Sequence, residues 1–268
     1  TFAHICYTVY MQAVILAAGR GTRMGGLTEN SPKSLLRVAD RPLLQYTLDA
    51  LPQHVDEAVI VVGYLGGMIH DTFGPEYAGK RILYVEQAEL NGTAGALWQA
   101  QDILKEKFLV LNGDDLYDPK VIARLALARD WALLVFESPE MTRGGKVMID
   151  AENRITGIVE GEHEGGPALE NAGAYMLDTR IFNVKPVPKA EGSPEFGLPQ
   201  TVLAASDALK IPLEALLTAW RLQITSPEDI ANAEKVIGEQ YFFMDTSDVL
   251  DLNASLKHAP NSSNTQEV

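Results

Sequence analysis

Cysteine is nearly absent: Cys6 is the only one in 268 residues. That excludes an internal disulfide framework and any cysteine-based zinc site. Positive charge is also scarce, with 22 Lys and Arg against 36 Asp and Glu, a formal net charge of −14. Broad, sequence-independent binding of nucleic acid needs clustered cations, so this balance argues against it. A small basic pocket for one nucleotide stays compatible. No apolar run approaches the ~20 residues that span a bilayer. The apolar start of the chain lacks the charged n-region and the length of a secretion signal. The reading is a cytoplasmic protein with no nucleic-acid and no membrane partner. The five histidines (His4, His54, His70, His163 and His258) show no ligand spacing, and no Ser/His/Asp arrangement is legible.

What is present is a globular composition, 46% hydrophobic and 22% charged. The length suits one large α/β domain or at most two smaller ones. The first strong pattern begins just after Met11. Met11 therefore reads as the natural start and residues 1–10 as an upstream extension, with an edge strand or partner-binding arm as the alternative. Residues 11–240 read as the functional domain. Residues 241–268 lose periodicity, fill with Ser, Asn, Asp and Thr, and read as a disordered tail. Asn253-Ala254-Ser255 and Asn261-Ser262-Ser263 match the glycosylation acceptor pattern, and read as chance matches in a polar tail.

Short apolar runs at 13–16, 57–62, 82–85 and 108–111 read as buried strands. Helical spacing after Pro42 (Leu43, Leu44, Thr47, Leu48, Leu51) and over 94–104 lies between them. Strands alternating with helices imply crossover connections and a mostly parallel sheet. Ligands of such sheets collect at the carboxyl ends of the strands. The glycine-rich loop after Leu16 and the Gly113-Asp114-Asp115 segment both fall there. The second half is richer in strands, at 132–137, 146–149, 154–159 and 172–177, with 150–153 as a hairpin turn. Ser226-Pro227-Glu228-Asp229 reads as a helix start in which Asp229 can reach back. No internal repeat and no long linker is visible.

In Leu16-Ala17-Ala18-Gly19-Arg20-Gly21-Thr22-Arg23-Met24, small residues let backbone amides approach a polyphosphate. Arg23 and, after Pro32, Lys33 add fixed positive charge. Cations at that place would stabilise charge developing on an attacked α-phosphate. A Walker A loop needs Gly-Lys-Ser/Thr opening a helix, whereas this lysine follows a proline. A dinucleotide fingerprint needs glycine where Met24 stands.

Residues 16–38 (LAAGRGTRMGGLTENSPKSLLRV) resemble the signature of the sugar-phosphate nucleotidyltransferases, the nucleoside-diphosphate-sugar pyrophosphorylases. Similarity in order and spacing runs to about Gly238. The resemblance implies a Rossmann-like, mostly parallel mixed α/β sheet flanked by helices in a single domain. It implies transfer of a nucleotidyl group from a nucleoside triphosphate, UTP or dTTP, to a sugar 1-phosphate, with Mg²⁺ as cofactor and pyrophosphate as co-product. Relatives of this kind are often homo-oligomers.

The same resemblance assigns roles. Arg23, Lys33 and Asp114 are the catalytic set, and Asp114 also holds Mg²⁺. Leu16, Ala17, Ala18, Gly19, Gly21 and Thr22 belong to the nucleotide loop. Gln87, Gly92 and Thr93 resemble the base-reading loop, where a glutamine amide offers a donor and an acceptor to uracil or thymine and Gly92 lets the backbone approach. Gly145, Glu160, Asn171 and Gly173 resemble the sugar-phosphate site. Asp115 reads as a solvated neighbour of Asp114. Two departures stand out. Gly161 occupies a position that is lysine in many relatives. Gln223 occupies that of a second metal-binding aspartate, where it offers only a neutral carbonyl ligand. Arg221 or Lys146 could replace the missing charge. Such departures leave open a silent, ligand-binding regulatory paralogue. A cytidylyltransferase acting on a non-sugar phosphate such as phosphocholine also stays open, and a glycosyltransferase fits less well.

Overall fold

The computed structural model describes residues 10–240; residues 1–9 and 241–268, with both glycosylation-like motifs, lie outside the described residues. The first half runs β1 (Met11–Leu16), two 3-10 segments (Thr22–Thr28 and Lys33–Leu35), β2 (Arg37–Val38), β3 (Arg41–Pro42), α1 (Leu43–Asp49), β4 (Val55–Val62), α2 (Gly66–Phe73), β5 (Glu76–Tyr77), β6 (Lys80–Glu86), α3 (Thr93–Gln99), β7 (Lys107–Asn112), β8 (Asp115–Leu116) and α4 (Pro119–Ala126). The second half runs β9 (Trp131–Ser138), β10 (Arg143–Ile149), β11 (Ile155–Glu162), β12 (Ala168–Asp178), a 3-10 turn (Thr179–Asn183), α5 (Leu198–Leu209), β13 (Leu213–Thr218), β14 (Leu222–Gln223) and α6 (Pro227–Gln240).

One large sheet has the order β11-β10-β12-β7-β1-β4-β6-β5, and β9 adds to β12 and carries β13. Strand β1 pairs in parallel with β4 and β7, and β4 in parallel with β6. Strand β12 is antiparallel to β7, β9 and β10, and β10 is antiparallel to β11. The mixed, mostly parallel α/β domain expected from the alternating pattern is the one observed. Because β1 lies between β4 and β7, the chain leaves β1 in one direction and returns on its other side. That reversal opens a crevice at the carboxyl ends of β1 and β7, where ligands of open α/β sheets bind.

Apolar residues on the two faces of the sheet form two separate clusters. Ile15, Leu111 and Ile122 belong to one, and Val14, Val110 and Leu97 to the other. Alternation along β1 and β7 produces this split directly. A third cluster joins Met24, Leu43, Tyr46, Leu116, Ile224 and Ile237. It anchors the glycine-rich loop to α6, at the other end of the chain.

Helix α3 is shorter than the 94–104 periodicity predicts. Beyond Gln99 the chain turns, and Gln12 takes up its backbone, donating to the Ile103 carbonyl at 3.2 Å and accepting from the Lys105 amide at 2.8 Å. The hairpin turn at 150–153 is as expected: Asp150 Oδ1 accepts from the amides of Glu152 and Arg154. Asp229 reaches back as the sequence implies, its Oδ2 accepting from the amides of Thr225 and Ser226, each at 2.7 Å. No helix among the described residues is long and apolar enough to cross a membrane.

Candidate functional site

The crevice between β1 and β7 holds a cleft of about 220 Å³. Leu16, Ala17, Gly19, Gly21, Thr22 and Arg23 form one side of it. Buried Met24 pins this loop into the third cluster, and its amide donates to the Gly21 carbonyl at 2.9 Å. Gly21 sits at φ +64°, and a β-carbon there would stand 2.8 Å from Lys33 Cβ. The glycine thus permits both the left-handed turn and the approach of the lysine. Ala18 is buried outside the cleft, its carbonyl accepting from the Tyr64 amide.

Lys33 and Asp114 line the same cleft. Lys33 Nζ lies 2.5 Å from Asp114 Oδ2, with the lysine side chain 11% exposed and the aspartate 33%. Among the described residues Arg23 forms no ion pair. The catalytic set expected from the sequence therefore shares one cleft. Ser34 and Thr225, not singled out from the sequence, also line it. Thr225 is brought there by the same Asp229 contact that starts α6.

Asp115 corrects the sequence reading. It is 1% exposed, not solvated. Its carboxylate accepts from Asn112 Nδ2 at 3.1 Å and meets Arg221 Nη2 at 3.4 Å. Burial pushes its pKa up and outweighs the pull of Arg221. Asp114 lies in the turn after β7, whereas Asp115 opens β8 and pairs with Gln223. Thr47 steadies the same loop, donating to the Asp115 carbonyl at 3.3 Å.

Gln87 lies outside the main cleft, after the end of β6, and is buried at 4%. Its amide nitrogen donates to Asn91 Oδ1 at 3.0 Å and to the Gly92 carbonyl at 3.1 Å. Both amide hydrogens are thereby used within the loop, which leaves the amide oxygen as the group free to meet a further partner. Gly92 is required by a close approach to the Phe196 backbone. At φ +99°, its missing β-carbon would fall 2.3 Å from the Phe196 carbonyl oxygen. Thr93 Oγ1 accepts from the Leu198 amide at 2.9 Å. This loop is clamped to the segment that leads into α5.

Gly145, Glu160 and Asn171 converge. Gly145 pairs with Glu160 across β10 and β11. A β-carbon on Gly145 would lie 2.6 Å from Glu160 Oε1 and 3.2 Å from Asn171 Cβ. Desolvation raises the Glu160 pKa, and Lys189 opposes this more than any other charge. Asn171 Oδ1 accepts from the Gly173 amide at 2.9 Å, and its Nδ2 donates to Tyr175 Oη at 3.0 Å. Gly173, at φ +72°, lies against Asn112 Nδ2, which ties the cluster to the loop bearing Asp114.

The two departures are placed as follows. Gly161 stands at φ +141° with open space beside it. Gln223 pairs through its backbone with Asp115, and its side chain is exposed. Lys146 is the strand neighbour of Gly145, so it projects to the sheet face opposite Glu160. Arg221 is engaged by two carboxylates, Asp115 and Glu170. Neither cation is disposed as a free substitute for the missing charge. No group of three or more His, Cys, Asp or Glu residues able to hold a metal occurs among the described residues.

Comparison with known proteins gives consistent results. A family model described as nucleotidyl transferase matches residues 12–213. The chain is 32% identical over 243 residues to a UTP–glucose-1-phosphate uridylyltransferase, AglF, of Haloferax volcanii, covering 86% of this chain and 98% of that protein. It is 31% identical over 227 residues to the bifunctional protein GlmU of Methanocaldococcus jannaschii, covering 85% of this chain but 54% of that longer protein. Among solved structures, a UDP-glucose pyrophosphorylase from Acinetobacter baumanii superposes with a TM-score of 0.72 at 19% identity, over 92% of this chain and 99% of that one. At that identity the likeness concerns the fold.

Proposed function

The chain belongs to the nucleotidyl transferase family, and from that premise we propose that it joins a nucleoside triphosphate, UTP or dTTP, to a sugar 1-phosphate, yielding a nucleoside-diphosphate sugar and pyrophosphate. The observation that supports this reading is the pairing of Lys33 with Asp114 in the cleft that Arg23 also lines, beside the small residues Ala17, Gly19 and Gly21. Two cations and one carboxylate in a crevice of backbone amides suit a polyphosphate.

In the reaction, a phosphate oxygen of the sugar 1-phosphate forms a bond to the α-phosphorus as the bond to pyrophosphate breaks. No enzyme-bound covalent intermediate is needed. The protein contributes alignment and charge stabilisation. Arg23 and Lys33 hold the triphosphate and meet the charge that develops on its oxygens. The backbone around Gly19 and Gly21 packs along the phosphates. The Gln87 carbonyl accepts from the N–H of uracil or thymine. Glu160 and Asn171 bind sugar hydroxyls beside Gly145.

Asp114 presents one partly exposed carboxylate to the cleft, while Asp115 is turned away and buried. Magnesium takes one or two carboxylates and completes its shell with phosphate and water oxygens, so these residues fit that ion. Asp114 would be its protein ligand, and Gln223, exposed on β14, would offer a neutral oxygen. When bound, the ion supplies neutralisation of phosphate charge.

The deciding experiment is a matrix of the four ribonucleoside triphosphates and dTTP against several sugar 1-phosphates, read by pyrophosphate release with and without excess chelator. Release with UTP or dTTP and a sugar 1-phosphate, abolished by chelator and restored by Mg²⁺, is the expected result. Release that needs no sugar phosphate, or that proceeds fully in chelator, would refute the reading.

A further inference from the structure

Arg221 touches both halves of the site without lining the nucleotide cleft. Its Nη2 meets Asp115 Oδ2 at 3.4 Å, one residue beyond Asp114. Its Nη1 donates to Glu170 Oε1 at 3.0 Å and to the carbonyl of Asn171 at 3.1 Å, on the strand that carries the acceptor cluster. The partners stand 106, 51 and 50 residues away in sequence. We propose that Arg221 is a positioning residue that holds the Asp114 loop and strand β12 at a set separation. It would thereby align the acceptor phosphate with the α-phosphorus. This inference rests on the reaction proposed above.

Three features favour geometry over bulk stability as the role of this contact. The arginine side chain is 5% exposed, that of Asp115 2% and that of Glu170 14%. One buried cation facing two carboxylates is a poor net stabiliser, because desolvation offsets the attraction. The guanidinium Nε also meets no acceptor among the described residues. By contrast, a planar fork with fixed donor directions suits the linking of two elements. The adjoining strand reinforces the arrangement: Leu222 and Gln223 pair with Leu116 and Asp115. Asn112, hydrogen-bonded to Asp115 and packed against Gly173, forms a second crosspiece.

The test compares full-length wild type with Arg221→Lys and Arg221→Met. Lysine keeps the charge but cannot fork. Steady-state kinetics give kcat and both KM values, and hydrogen exchange without ligands follows the amides of residues 113–116 and 168–173. The expected result is a kcat lowered at least tenfold, KM values within about twofold of wild type, and faster exchange in both segments. A misplacement of ~1 Å at reacting atoms can cost on the order of 100-fold. Unchanged kcat in a folded variant would overturn the proposal and leave Arg221 a packing residue. A large rise in KM for the sugar phosphate at constant kcat would also overturn it, since Arg221 would then bind substrate directly. Should the methionine variant not fold, Arg221→Lys and Glu170→Ala decide, the latter releasing one arm of the fork. If the wild type turns over no sugar phosphate, the reaction proposed above fails by itself. The exchange data then still judge the tether: acceleration in both segments supports it, and in one or neither overturns it.

Discussion

The ammonium of Lys33 lies 2.5 Å from the Asp114 carboxylate, across 81 residues of sequence. One comes from the turn after Pro32 and the other from the end of β7, and they meet only because β1 and β7 are neighbours in the sheet. Under the proposed reaction Lys33→Met lowers kcat by about 10²–10³, the usual consequence of removing a group that meets developing charge. Asp114→Ala loses turnover at ordinary Mg²⁺ concentrations. Pyrophosphate release measures both, and a Lys33→Met enzyme with wild-type kcat would remove the lysine from the mechanism.

Gly21→Ala combines a left-handed backbone angle with a clash against Lys33 Cβ. A non-glycine residue held there costs on the order of 1–3 kcal/mol, and relief of the clash moves the lysine. The expected result is a lower melting temperature together with a lower kcat. Gly25→Ala, also at positive φ but with open space around it, should share the loss of stability and spare most of the turnover.

Asp229 makes the start of α6 sensitive to acid. Partial burial tends to raise its carboxyl pKa, but hydrogen bonds from Thr225 and Ser226 prevail and the net shift is downward. A carboxylate with a depressed folded pKa contributes stability above its unfolded value of ~4, and that contribution is lost as pH falls through the folded value. Asp229→Ala should therefore cost about 1 kcal/mol near neutral pH, as for other lost caps. The difference from wild type in chemical denaturation should shrink as pH drops below ~4. A gap that persists unchanged at pH 2 would contradict this account.

Glu57 supplies a control at the opposite end of the sheet. Its carboxylate, 2% exposed, accepts from Gln12 Nε2 at 2.6 Å and from Arg81 Nε at 2.5 Å. Glu57→Ala leaves the buried Gln12 amide with one partner fewer and should destabilise the protein by ~1–3 kcal/mol. Both KM values and kcat, measured well below the melting temperature, should stay within about twofold. A selective loss of turnover would show that this end of the sheet communicates with the cleft.

The parallel core strands were legible because burial on both faces leaves continuous apolar runs such as residues 13–16 and 108–111. The glycine-rich loop was legible because its chemistry is contiguous. Helix α6 was legible from Ser226, Pro227 and Asp229, and α4 carries a comparable start signal in Asp118 and Pro119, with Asp118 accepting from the Lys120 amide. The full length of α3 was not legible, since Gln12 competes for the backbone beyond it from another strand.

Local pattern therefore determined the crossover architecture and the strand ends at which chemistry collects, while the resemblance of residues 16–38 to a known signature pointed to Arg23, Lys33 and Asp114, which line one cleft. Tertiary structure decided which of their neighbours line the cleft and which are buried as framework. It turned Asp115 inward onto Arg221, spent the Gln87 donor on its own loop, set Gly92 against Phe196 and placed Lys146 on the far face of the sheet. The physical reason is that a side chain's charge and shape are written in the chain. Its desolvation and its partners depend on groups tens of residues away, which only folding brings within a few ångströms.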